Sequence, residues 1–223
     1  MAEVIVALDV SSVEEAEKLV TQLSPVIHFY KVGLQLFIAH HARAVEAVRR
    51  HGGDVFLDLK LHDIPQTVAN AVKETARLGV HSVSFHLSGG RAMIEAAAAV
   101  PGRPKLWGVS VLTSMTDEDL RVLGGRTTST LVPDLARMGA AAGMDGLVCS
   151  GHELPLLDGI TPRPVRVVPG IRGPDDAVGD QKRVMTPAEA AARGADFLVV
   201  GRPITHAKDP RAAAERIVAD AAR

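Results

Sequence analysis

The sequence predicts a (β/α)8 barrel, a single α/β domain occupying residues 1–223. Three observations carry that reading. Short β-branched runs alternate with Ala-rich helical stretches from end to end. Eight strand segments can be counted, each followed by helix. No linker, low-complexity tract or second-domain signature interrupts them. A doubly wound open sheet is the alternative, but it usually needs fewer strands and a Gly-rich first turn. Here the first strand runs into Asp9-Val10-Ser11-Ser12 instead.

Taken in order, Val4 to Leu8 is the first strand. Ser11-Ser12-Val13-Glu14-Glu15 then opens a helix, because a hydroxyl N-cap followed by Glu resembles a capping box. His28 to Val32 is the second strand, and Gln35 to Arg50 the second helix, closed by Gly52-Gly53. Val55 to Lys60 is the third strand. Pro65 sits in the first turn of a helix that reaches Leu78 and stops at Gly79. Ser82 to His86 and Leu106 to Leu112 are strands four and five, with a helix over Ala92 to Val100 between them. Asp117 to Leu123 and Leu131 to Ala142 are helical. Asp145 to Cys149 is strand six, with a short helix at Glu153 to Leu157. Arg166 to Val168 is strand seven. Thr186-Pro187-Ala188-Glu189 caps a helix ending at Gly194, Phe197 to Val200 is strand eight, and Pro210 to Ala222 the last helix.

Composition narrows the function. Hydrophobic residues make up 47% of the chain and aromatics only 3%, so the core is expected to be Val, Leu, Ile and Ala. The net charge of -1 gives no general surface for nucleic acid or membrane, so any phosphate site must be local. The single cysteine, Cys149, lies in an apolar run and reads as a buried small hydrophobe rather than a nucleophile. It excludes an intramolecular disulfide framework. With no basic n-region, cleavage signal or membrane-length apolar run, a cytoplasmic protein is expected.

In a barrel, chemistry gathers at the C-terminal strand ends. The first strand ends in Asp9, in phase with Ile5 and Ala7, and the second in Lys31, in phase with Phe29. The third carries Asp58 and Lys60 two residues apart, hence on one face, with Asp63 past its end. An Asp/Lys pair is most often a surface salt bridge. This one sits on an otherwise apolar strand, where two carboxylates around one ammonium can hold and hand over a proton. His86, Ser110 and Thr113 follow on strands four and five. Strands seven and eight end in Pro169-Gly170-Ile171-Arg172 and Gly201-Arg202-Pro203. Glycine lets backbone N–H groups approach a phosphate, and arginine offers a forked donor. The two together favour a phosphate site, the usual use of these two loops. The polar stretch Gly173 to Val184 reads either as a lid or as a solvated connection. No metal set stands out. His40 and His41 are adjacent on a helix and diverge, and His62 and His86 read better as structural histidines than as partners of Asp58.

The run Phe56-Leu57-Asp58-Leu59-Lys60-Leu61-His62-Asp63-Ile64-Pro65 resembles the signature of the orotidine 5′-phosphate decarboxylase family in its bacterial form. Ala7-Leu8-Asp9, Tyr30-Lys31-Val32-Gly33, Leu112-Thr113-Ser114, Gly179-Asp180-Gln181 and the two Gly-Arg loops match in the family's order. The resemblance implies decarboxylation of orotidine 5′-phosphate to UMP in pyrimidine biosynthesis, without metal or other cofactor. It implies Lys60 as proton donor to C6, Asp58 and Asp63 as its flanking carboxylates, and Asp63 shared across a homodimer. Lys31 and Asp9 would contact the ribose and complete the charge network. Thr113 would meet the base, Gln181 would bridge base and phosphate, and Arg172, Gly201 and Arg202 would hold the substrate. Leu59, Leu61, His62, Ile64, Pro65, Gln66 and Thr67 complete the implied substrate-binding run. Related families, 3-keto-L-gulonate 6-phosphate decarboxylase and hexulose 6-phosphate synthase, share Asp-x-Lys-x-x-Asp but use magnesium and an acid where this chain has Lys31. A catalytically silent phosphosugar-binding barrel is the non-enzymatic alternative.

Overall fold

The computed structural model describes residues 2–124, 126–173 and 184–223. Eight parallel strands close on themselves in chain order. They are β1 (Glu3–Ala7), β2 (Phe29–Gly33), β3 (Asp54–Leu61), β4 (Ser82–His86), β5 (Lys105–Val109), β6 (Gly146–Val148), β7 (Val165–Val168) and β8 (Phe197–Val200). Pairing of Val4 with Leu198 and Val6 with Val200 seals β1 to β8, so the described sheet has no open edge. The (β/α)8 prediction therefore holds, and the open-sheet alternative falls.

Helices cover the outside: α1 (Val13–Leu23), α2 (Leu34–His40), α3 (Ala42–Arg49), α4 (Pro65–Arg77), α5 (Arg91–Ala98), α6 (Asp117–Val122), α7 (Thr128–Ala141), α8 (Pro187–Ala192), α9 (Arg202–Thr205) and α10 (Pro210–Ala221). Their starts follow sequence chemistry. Ser12 accepts from the Glu15 amide to cap α1, and Thr186 and Glu189 form a reciprocal capping box on α8. Pro65 occupies the first turn of α4, where no N–H is needed.

Several boundaries differ from expectation. The single helix expected over Gln35 to Arg50 is two, because His41 adopts φ 53° and breaks it. His40 and His41 thus do not share a helix. β5 ends at Val109 rather than Leu112, and the segment after β6 is a 3-10 helix over Gly151–Leu157. The short α9 after β8 went unseen, hidden by its four-residue length. Gln181 and nearly all of the Gly173 to Val184 stretch lie outside the described residues.

Two apolar layers hold the barrel. Between strands and helices lies the expected aliphatic packing, including Val6, Val32, Leu57, Val83 and Leu198. Four of the seven aromatics, Phe29, Phe56, Trp107 and Phe197, gather inside the barrel, contrary to an all-aliphatic core, while Tyr30 and Phe85 are buried in the outer layer. Trp107 packs 4.5 Å from Phe56, 5.3 Å from Phe197 and 5.9 Å from Phe29 by ring centroids. Ile5, Ala7, Val167 and Val199 complete this inner cluster. Burying each such large side chain contributes roughly 1.5–3 kcal/mol. The plug fills the floor of the barrel and leaves its C-terminal mouth free for polar groups.

Candidate active site

The mouth residues continue the phase of the plug. Two residues beyond Ala7 stands Asp9, beyond Phe29 Lys31, beyond Phe56 Asp58, and beyond Val199 Gly201. All four line one cleft of ≈ 500 Å³, with Lys60, Thr113, Arg172 and Arg202. That is within the usual size range of small-molecule sites. Cys149 is buried, as read from the sequence, and also borders this cleft.

Asp58 is the hub. Its Oδ2 lies 2.8 Å from Lys60 Nζ and 3.9 Å from Lys31 Nζ. Its Oδ1 accepts a 2.7 Å hydrogen bond from the Ser84 hydroxyl. Lys31 reaches on to Asp9 at 2.7 Å. Burial pushes the Asp58 carboxyl up. The Lys31 and Lys60 ammoniums and the hydrogen bonds from Lys60 and Ser84 outweigh it, so the net displacement is below the usual carboxylate range. The group is thus an ionised acid in a largely dry place, facing two cations.

Strand alternation explains only part of this convergence. Between Leu57 and Leu61 the β3–β4 register slips. Lys60, within the slip, takes φ 53°, an uncommon conformation for a side-chain-bearing residue. Its amide donates to Ser84 Oγ at 2.9 Å. Ser84 is a site residue that sequence reading missed. The signal was there: Ser82, Ser84 and His86 alternate along β4, and only His86 was singled out.

The rest of the signature run is divided. Leu59 and Leu61 are half-buried against the outer aliphatic layer. His62, Asp63, Ile64, Pro65, Gln66 and Thr67 are exposed on the rim and do not line the cleft of this chain. Asp63 accepts from the adjacent Ile64 amide at 2.7 Å. His62 and His86 pack against each other with their rings tilted by 47°, 5.5 Å between centroids, and border a neighbouring apolar pocket with Leu112 and Met115. Burial, then His62 and Lys60, lower the His86 pKa against an opposing pull from Asp58. On the opposite side, Gly170 has φ 79° and Arg172 Nη1 donates to the Ile171 carbonyl at 2.7 Å. The Arg172 amide donates to the Met185 carbonyl, and the Met185 amide to the Gly170 carbonyl. Among the described residues no group of three or more His, Cys, Asp or Glu side chains is placed to hold a metal ion. Nor is any described helix long and apolar enough to cross a membrane.

The sequence profile of the orotidine 5′-phosphate decarboxylase / HUMPS family matches residues 2–217. The chain belongs to that family. It is 48% identical over 217 residues to the orotidine 5′-phosphate decarboxylase of Laribacter hongkongensis, covering 95% of this chain and 90% of that one. With the enzyme of the same name from Syntrophotalea carbinolica it shares 46% over 233 residues, 99% of this chain and 95% of the relative. Among solved structures, the orotidine 5′-phosphate decarboxylase of Lactobacillus acidophilus superposes with a TM-score of 0.87 at 36% identity, over the full length of both chains. Family membership thus rests on the whole barrel and not on the signature run alone.

Proposed function

We propose that the chain decarboxylates orotidine 5′-phosphate to UMP and CO2, a step of pyrimidine biosynthesis. The observation that carries this reading is the Lys60 ammonium, 2.8 Å from buried Asp58, at the mouth of a cleft with arginines on its far side. Breaking the bond from C6 to the carboxyl carbon leaves its electron pair on C6, with no adjacent π-system to spread it. Fixed charge must stabilise that centre. Lys60 faces it as a cation and then delivers a proton to C6. The neutral amine left behind regains its proton from solvent.

Asp58 pairs with Lys60 and aims it, while Lys31 and Asp9 extend the alternating charges toward the ribose. Thr113 takes the base. Arg172, Arg202 and the Gly201 backbone take the phosphate, whose binding energy is realised far from the reacting carbon. Gln181 joins them from beyond the described residues. Asp63, exposed on the rim beside the 67%-exposed Ile64, completes the site of a second copy in a homodimer. The reading is metal-free, because Lys31 sets an ammonium between Asp9, at 2.7 Å, and Asp58, at 3.9 Å, where the magnesium-dependent families carry an acid.

The test is the fall in pyrimidine absorbance on adding orotidine 5′-phosphate, with and without chelator. Turnover unaffected by chelator is expected, and Lys60→Ala is expected to abolish turnover while still binding UMP. Absence of UMP formation sinks the reading. Near-normal turnover by Lys60→Ala sinks the proton-donor role.

A further inference from the structure

We infer that Ser84 is a positioning residue for the decarboxylation proposed above, holding both Asp58 and the Lys60 backbone through one hydroxyl. Ser84 is fully buried on β4, opposite the point where the β3–β4 register slips. Its Oγ accepts the Lys60 amide at 2.9 Å and donates to Asp58 Oδ1 at 2.7 Å. A serine hydroxyl has a single hydrogen, and here it is committed to the carboxylate. The amide of Lys60 therefore meets a lone pair, and the direction of both bonds is fixed. The same atom thus satisfies a backbone donor displaced by the slip and orients the acid that pairs with the lysine's own ammonium. Lys60 at φ 53° needs such support, because that conformation persists only where its surroundings hold it.

Other titratable groups also face Asp58. Lys31 approaches from β2, with Asp9 of β1 behind it, Lys60 lies on β3 itself, and His86 stands on β4. They remain in a Ser84 variant, so the hydroxyl's part can be read separately.

The experiment compares Ser84→Ala with Ser84→Thr, which keeps a hydroxyl. The readouts are kcat and KM for orotidine 5′-phosphate across pH, and the Asp58 carboxyl 13C titration in the unliganded protein. For Ser84→Ala, kcat is expected to fall about ten- to a hundredfold, the worth of one hydrogen bond to a charged acceptor. KM should change little. The Asp58 titration and the acid limb of the rate profile should both move to higher pH, and Ser84→Thr should reverse both. An unmoved Asp58 titration overturns the inference. So does a loss of kcat with KM raised in proportion and the acid limb in place, which marks general loosening. If Ser84→Ala does not fold, Ser84→Cys, a poor donor of similar shape, is judged by the same outcomes. The titration needs no turnover, so a wild-type chain inactive on orotidine 5′-phosphate would sink the proposed reaction without deciding the role of Ser84.

Discussion

Replacing Asp58 by asparagine keeps the shape of the side chain and removes its charge. Asp58 faces Lys60 at 2.8 Å and Lys31 at 3.9 Å. At an effective dielectric near 20, a unit pair about 4 Å apart attracts by roughly 4 kcal/mol, and the closer pair by somewhat more. Much of this gross attraction is offset by taking the carboxylate out of water. Removing one partner of a buried pair nonetheless costs about 3–5 kcal/mol, because cations are left facing each other. Lys60 keeps 30% of its side chain exposed, so the lower figure applies here. For a chain of this length about 3 kcal/mol lowers Tm by roughly 6–12 °C. The Ser84 hydroxyl still finds an amide oxygen, so the strand pairing survives. Lys60 loses the group that aims it, and kcat should drop by about 10²–10⁴. The assay is a thermal melt paired with decarboxylation kinetics. A Tm within about 1 °C of the parent, with kcat within threefold, would refute the reasoning and leave the Asp58–Lys60 pair with no more weight than a surface salt bridge.

Further expectations follow from neighbouring groups. A Cβ on Gly33 would stand 2.8 Å from Lys31 Nζ and 3.1 Å from Asp9 Oδ1. Gly33→Ala should therefore melt near the parent temperature, because a flexible side-chain tip can yield, yet lose at least about tenfold in kcat/KM as Lys31 is displaced; unchanged kinetics would contradict the placement of Lys31. His86 has a lowered pKa, so the folded state resists its protonation. Its contribution to stability is complete above the ordinary histidine value of about 6.5 and is lost as pH falls through the lower folded value. Urea midpoints should decline between those two values, and His86→Gln should flatten that decline.

Much of the barrel was legible because the strands are β-branched runs and the helix starts carry their caps, as at Ser12, Pro65 and Thr186. Asp9, Lys31 and Asp58 were legible as mouth residues because each continues an inward-facing phase from Ala7, Phe29 and Phe56. The break at His41 was not, since an uncommon backbone angle at a histidine has no compositional marker. The slip in β3 was hidden for a related reason. Alternation alone places Asp58 and Lys60 on one face, but their actual meeting depends on the bulge and on a partner from β4. Ser84 itself looked like an unremarkable strand serine, because its importance comes from what stands opposite it across the sheet. Aromatic scarcity suggested a uniform aliphatic interior, yet scarcity says nothing about where the few rings collect.

That collection has a practical consequence. Trp107 is the chain's lone tryptophan, and it is buried at the centre of the inner cluster. Its indole emission therefore reports a single location, with no second indole to blur the signal. The ring lies beneath the cleft, one strand repeat below Val109, which lines it. Opening of the barrel should shift the emission strongly to the red as water reaches the ring. Occupation of the cleft above should leave it nearly silent. One unlabelled fluorescence channel can then follow unfolding independently of ligand.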